Sequence, residues 1–297
     1  MTPEFTPISI NYAKAYKELL NKTNASASDY SFGNIWGWSG HYGLEWMLQD
    51  GLCWIRQNFQ GTTIYWAPVG DWKNYIWTTC GQMEQGREFI RVPEELAEHW
   101  KRIYSGRIEI TESRGQWDYL YTVEDLAKLP GNRYHKKKNH LNQFKKLYAF
   151  TYQAMTPDCV EDVLEMQAEW SKWREVEDSP SLKSENKAVA RVLEMWDSLP
   201  DLVGGAIHVN GNVIAYTIGE EIGPDTMVVH FEKGMPAYKG VYQAINNCFA
   251  KAIAETKKFI YLNREQDMDD AGLRRAKESY NPVKYIKKYS IRILPRG

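Results

Sequence analysis

The sequence predicts a mixed α/β (α+β) protein made of two tandem units, each a mixed, mostly antiparallel sheet flanked by helices. Three observations carry this expectation. The chain has 297 residues, enough for roughly two domains. Two hairpin signals, Asp50-Gly51 and Asn210-Gly211, each sit between β-rich runs, where both turn residues tolerate positive φ. The order strand, strand, strand, helix, strand is read twice, and Thr62 to Gly70 has the same spacing as Thr226 to Gly234.

The carboxy-terminal half states the order most clearly. "GGAIHV" and "NVIAYTI" flank Asn210-Gly211, and "TMVVHFEKG" is a third run ending at Gly234. "GVYQAINNCFAKAIAE" carries Val241, Ala244, Ile245, Cys248, Phe249 and Ile253 at the spacing of a half-buried helix, and "KFIYLN" is the next strand. In the amino-terminal half, "LEWMLQ" and "LCWIRQ" surround Asp50-Gly51, followed by "TTIYWAPVG", a Pro-initiated helix "PEELAEHWKRIY" and the strand-like "RIEITES". Two further helices precede the second hairpin. Thr156-Pro157 fits the start of one, with Val160, Val163, Leu164, Gln167 and Trp170 on one face. Ser184 is expected to cap the other, with Ala188, Val189, Val192, Leu193 and Trp196 inward, and "EVEDSPSLK" between them reads as a polar loop.

Two helices, a three-stranded meander, a helix and a strand describe the acetyltransferase-type (GNAT) fold, so the expectation is two tandem acetyltransferase-like domains. The boundaries expected are 1–130 for the first, 131–148 for a basic bridging helix and 149–297 for a second domain carrying the donor site.

Composition narrows the function. With 43% hydrophobic and 25% charged residues the chain is globular, and a net charge of -1 means that any polyanion binding comes from a local patch. Cys53, Cys80, Cys159 and Cys248 are far apart and lie at no metal-ligand spacing, so no metal site and reduced thiols are expected. No secretory leader pattern opens "MTPEFTPISI" and no run approaches the ~20 apolar residues of a membrane span. A cytoplasmic protein without a membrane span is the expectation.

Three stretches could carry chemistry. "GNRYHKKKNHLNQF" holds Arg133, Lys136, Lys137, Lys138 and His140 and contains no acid. As a helix it would align Tyr134, Leu141, Phe144 and Tyr148 in an apolar stripe, with the cations on the flanks, facing either solvent or a phosphate-bearing partner. No helix-turn-helix, zinc finger or RNP-like pattern accompanies it, which argues against sequence-specific DNA binding. "MPAYKGVYQAINN" joins a strand to a helix, so Lys239 and Gly240 could form an anion site at the helix start or an ordinary turn. "NREQDMDDAGLRRAKESYNP" opens with five consecutive polar residues just past a strand, where α/β folds bind ligands. Glu265 or Asp267 could serve as a general base and Arg264 as an anion clamp; a surface loop with internal salt bridges is the plainer alternative. The aromatic-rich "SDYSFGNIWGWSGHYGLEW" reads more readily as core than as a ligand groove.

Together, "LPGNRYHKKKNHLNQF" and "NREQDMDDAGLRRAKESYNP" resemble the two hallmark stretches of the DUF2156 family, related to the carboxy-terminal catalytic domain of phosphatidylglycerol lysyltransferase. The resemblance covers roughly residues 129 to 290, and extends loosely to "SDYSFGNIW". That family is similar to the tandem acetyltransferase-like fold of the Fem aminoacyltransferases. The resemblance implies transfer of an acyl or aminoacyl group, with acyl-CoA or aminoacyl-tRNA as co-substrate and no tightly bound cofactor. The acceptor would be an amine or hydroxyl of a small molecule, a peptide or a lipid headgroup. Donor phosphate would lie on Lys239, Gly240, Asn263 and Arg264, Glu265 and Asp267 would be catalytic, and Tyr280 would protonate the leaving group. The usual acetyltransferase pyrophosphate loop is only partly present: Ala237 stands where Arg or Gln is usual and Tyr242 where Gly or Ala is usual. The rival readings are an RNA- or phosphate-binding module without chemistry and a degenerate, non-catalytic scaffold.

Overall fold

The computed structural model describes residues 4–23, 27–175, 179–199 and 201–295. They form two compact units, one of Met1–Asp118, Gln266–Arg274 and Tyr285–Gly297, the other of Tyr119–Glu265 and Arg275–Lys284. These bounds differ from boundaries at 130 and 149. Strand pairing of residues 120–122 with 261–263 and packing of the helix after them draw 119–130 into the second unit, which also holds all of 131–148.

The first unit begins with β1 (Thr6–Pro7), α1 (Ala13–Leu20) and α2 (Phe32–Tyr42), then β2 (Leu44–Gln49), β3 (Leu52–Phe59), β4 (Thr62–Trp66) and β5 (Val69–Gly70). Asp50 and Gly51 close the β2–β3 hairpin at φ 51° and 78°, the double left-handed turn expected of that pair. β6 (Glu88–Pro93) follows, then α3 (Glu94–Ile103) and β7 (Ile108–Glu112). β4 runs parallel to β6, with Tyr65 opposite Phe89 and Trp66 opposite Ile90. The sequence reading missed β6 and put the helix directly after the third strand. In the fold α3 comes after β6, so the repeated order holds only in part. Trp54, Trp77, Trp100 and Phe89 are fully buried and meet edge-on or tilted, Trp77 and Trp100 at 5.2 Å, and the equally buried Trp66 meets Tyr30 edge-on. The aromatic excess of this half therefore builds core.

The second unit contains β8 (Asp118–Thr122), α4 (Val123–Lys128), α5 (His135–Leu147), β9 (Phe150–Ala154), α6 (Val160–Glu175) and α7 (Pro180–Glu194). The chain continues with β10 (Leu202–Val209), β11 (Asn212–Ile222), β12 (Thr226–Gly234), α8 (Val241–Glu255), β13 (Tyr261–Asn263), α9 (Ala271–Glu278), of which Arg275–Glu278 belong to this unit, and β14 (Lys284–Ile286), of which Lys284 does. The strand order of the sheet is β14-β8-β13-β12-β11-β10-β9. The last strand, β15 (Lys288–Ile293), belongs to the first unit and lies between β6 and β7. Asn210 and Gly211 turn the β10–β11 hairpin at φ 52° and 83°. α7 starts five residues earlier than a Ser184 cap requires. Pro180 supplies the first turn, and the Ser184 hydroxyl donates back to the Pro180 carbonyl at 3.1 Å. Part of the expected "EVEDSPSLK" loop, 176–178, lies outside the described residues.

Alternation along β11 assigns the two sheet faces. Ala215 packs with α8 in the core, whereas the Tyr216 hydroxyl donates to Gln167 on α6. Ile218 and Glu220 share the α6 side with Tyr216. Three of the four stripe residues are buried: Tyr134, just before α5, joins Leu141 and Phe144 in the core of α4, α8 and β12, while Tyr148, just after α5, is half-buried against it.

Candidate functional site

In the second unit, β12 and β13 pair in parallel over three positions, Thr226 with Tyr261, Met227 with Leu262 and Val228 with Asn263. β13 then ends while β12 continues to Gly234, so the two strands part beyond Val228 and Asn263. At that point the β11–β12 register slips: Gly219 lies opposite Val229 and Ile218 opposite Phe231. His230 is the extra residue of this bulge, a device that re-aims a side chain.

The His230 ring is buried between two carboxylates. Nδ1 lies 2.9 Å from Oε1 of Glu265, and Nε2 lies 3.2 Å from Oε2 of Glu220. With an acceptor on each nitrogen, the arrangement favours the imidazolium, which donates both ways. Burial alone would lower the His230 pKa, but the two carboxylates outweigh it and bring the group up to about 9. Of the three side chains only Glu265 is appreciably open to solvent, at 19%, against 1% for His230 and 0% for Glu220. The turn that presents Glu265 is held firmly. Its φ is 56°, its N–H donates to the Asn263 side-chain oxygen at 2.9 Å, and its carbonyl accepts from the Tyr119 N–H at 3.2 Å.

A second cluster lies on the α8 side of the sheet. Glu232 accepts from Arg264 at 3.0 Å and from Asn246 of α8 at 3.2 Å. The Arg264 guanidinium is 4.9 Å from the centre of the Tyr280 ring, and the Lys137 ammonium is 3.9 Å from the same centre. Lys277 donates to the Arg264 carbonyl and fixes the main chain there. Burial raises the Tyr280 phenol to about 12, with Arg264 pulling the other way. Burial, and then the charge of Arg264, lowers Lys137 to about 8.

The fold thus gathers Asn263, Arg264, Glu265, Tyr280 and Lys137 in one unit. Asn263 shapes the turn and is fully buried. Asp267 groups with the first unit, and its buried carboxylate is held by Arg114, by two bonds from Arg274 and by the Asp269 N–H. This is the internal salt-bridge arrangement that the sequence left open as the plainer alternative. Lys239 donates its backbone N–H to the Tyr148 hydroxyl. Gly240 is the N-cap of α8 at φ 83°, and a Cβ there would lie 2.4 Å from the His140 carbonyl oxygen of α5. The bare face of Gly240 therefore admits a neighbouring helix backbone. In the basic stretch, one guanidinium nitrogen of Arg133 donates to both carboxylate oxygens of Asp125, Lys136 and His140 are exposed, and Lys138 is half-buried. Among the described residues no group of three or more His, Cys, Asp or Glu is arranged to hold a metal ion.

The sequence reading missed His230, Glu220 and Glu232. Their signal was present: ionisable residues interrupt otherwise apolar strands in "IAYTIGEEI" and "TMVVHFEKG".

Comparison with solved structures gives the fold a context. A conserved protein of unknown function from Bacteroides thetaiotaomicron matches at 30% identity, TM-score 0.88, over 98% of this chain and 100% of its own. The L-PGS structure from Bacillus licheniformis matches at 12% identity and TM-score 0.68, over 100% of this chain and 95% of its own. FemX matches at 6% identity and TM-score 0.62, over 97% and 96%. The last two likenesses are of fold alone. No match was found among proteins of curated function. No helix among the described residues is long and apolar enough to cross a membrane. Residues 20–292 match the family described as phosphatidylglycerol lysyltransferase, C-terminal, and the chain belongs to that family, DUF2156.

Proposed function

We propose that this protein transfers an acyl or aminoacyl group from a phosphate-bearing donor, aminoacyl-tRNA or acyl-CoA, to an amine or hydroxyl. We also read the two units as tandem acetyltransferase-like domains, of which the second is the working one. The observation that carries the reading is the Glu220–His230–Glu265 chain, which ends at the solvent-reaching Glu265 where β12 and β13 part. Family membership and the fold shared with L-PGS and FemX support it.

In this mechanism the acceptor's lone pair attacks the donor carbonyl and Glu265 takes the proton that the acceptor loses. His230, charged and anchored by Glu220, holds the carboxylate of Glu265 in one orientation, which is a positioning role. Glu265 then passes that proton to the departing oxygen or sulfur, which leaves as the hydroxyl or thiol. Tyr280, on the α8 side of the sheet with Arg264 and Lys137, takes no part in this transfer. The proton lost by the acceptor and the proton gained by the leaving group balance.

The test is to incubate the protein with acetyl-CoA and, separately, with mixed aminoacyl-tRNA, each with pooled amine and hydroxyl acceptors, and to follow the acyl group by mass spectrometry. Glu265→Gln should lower turnover by about 100-fold while the fold is retained. An unchanged rate removes Glu265 from the mechanism.

A further inference from the structure

In the second unit, the Lys137, Arg264 and Tyr280 cluster holds more positive charge than its surroundings neutralise. Glu232 is the carboxylate recorded there, and Arg264 and Asn246 already occupy both of its oxygens. Lys137 is half-buried, and among the described residues its recorded contact is with the face of the Tyr280 ring, with no ion pair or hydrogen bond. Arg264 is half-buried, its charge is felt at Lys137, and it faces the same ring. Holding two like charges close together and away from water is costly, and one aromatic face offsets only part of that cost. The main-chain carbonyl of Arg264 is itself capped by a third cation, Lys277. Such a site is completed by an anion.

The alternative anion site, at the start of α8, is less suited to the task. The Gly240 face that would approach a phosphate is turned to the His140 carbonyl, whose oxygen repels one. We infer that Lys137 and Arg264 form a phosphate-binding subsite, with the Tyr280 ring as its floor, and that this subsite holds the phosphate of the donor. The identity of the ligand as donor rests on the transferase reading; the anion site itself does not. Coenzyme A and the 3′ end of a tRNA carry the same phosphate chemistry, and the experiment separates them.

The test compares the intact protein with Lys137→Met, Lys137→Arg and Lys136→Met. Lys136 is exposed on the same helix and controls for loss of one charge. Binding of coenzyme A, of uncharged tRNA and of inorganic pyrophosphate is measured by calorimetry at two salt concentrations. Lys137→Met should weaken pyrophosphate, and whichever of the two larger ligands binds, by about tenfold, as expected for loss of one charge-assisted contact. Lys137→Arg should retain most of the affinity, and Lys136→Met should change it by less than about twofold. Equal losses in Lys136→Met and Lys137→Met would show a diffuse patch and overturn the subsite. So would full pyrophosphate affinity in a folded Lys137→Met protein. If pyrophosphate binding depends on Lys137 but neither coenzyme A nor tRNA binds, the subsite stands and its assignment to the donor falls. If transfer is observed and Lys137→Met leaves donor affinity intact, the transferase reading stands and the subsite falls.

Discussion

Replacing His230 with Gln tests the electrostatic core of the proposed site. His230 is buried with a carboxylate on each ring nitrogen, and its pKa moves from 6.5 to about 9. A folded-state value above the unfolded one means that the native protein holds the proton more tightly. The stabilisation is therefore complete below about pH 6.5 and is lost as the pH rises through about 9. The shift corresponds to on the order of 3 kcal/mol of folding free energy. Glutamine keeps a polar group at the position and cannot carry the charge. The variant also leaves Glu220 buried without its charged donor, at a cost of about 3–5 kcal/mol near neutrality.

The assay is urea unfolding of both proteins at intervals between pH 6 and pH 10. The difference between wild type and His230→Gln should shrink by about 3 kcal/mol between pH 6.5 and pH 9.5. Differencing cancels the other groups that titrate in this range, Lys137 among them. Parallel curves across the whole range would refute the imidazolium assignment, as would an NMR titration of the His230 ring with a midpoint below 7. Turnover should also fall on the alkaline side, where Glu265 loses its charged partner.

Asp267→Asn should destabilise the first unit by about 1.5–3 kcal/mol, because Arg114 and Arg274, each about a third exposed, lose a charged acceptor while Arg274 keeps Asp269; thermal unfolding measures it. If the folded fraction of that variant transfers at the wild-type rate, Asp267 is structural and plays no part in the chemistry. Gly240→Ala should cost about 1–3 kcal/mol by the same measurement, since the new methyl meets the His140 carbonyl on a backbone at φ 83°. An unchanged unfolding midpoint would show that α5 does not pack against that turn.

Much of the second unit was legible from the sequence. Asn210-Gly211 can close a two-residue hairpin with both φ values positive, and the repeat of Val241, Ala244, Ile245, Phe249 and Ile253 marks an apolar face of α8, although α8 also buries Asn247, which donates to the Leu126 and Ala127 carbonyls of α4. The stripe of Tyr134, Leu141 and Phe144 likewise required α5 to pack. In the first unit β6 escaped notice, because "REFIRVP" is a short strand whose partners β4 and β15 are distant in sequence. Ser184 had the chemistry of a cap, but Pro180 could start the helix earlier.

For the site, the division follows from range. The polarity of Asn263–Asp267 past a strand end is local, so the sequence alone marked that segment and proposed Arg264 and Glu265. Which of its acids meets an imidazole and which meets two guanidinium groups depends on the fold: His230, Glu220 and Arg114 are far along the chain, and Arg274 lies seven residues beyond Asp267. Glu265 meets His230 and Glu220, whereas Asp267 meets Arg114 and Arg274. Spacing could place Lys137 on a helix flank, but only the fold brought its ammonium to the ring of Tyr280 beside Arg264. Local sequence determined which segments were helix, turn or polar loop. Tertiary structure decided which charges were brought together, because those pairings act across space between residues that no periodicity links.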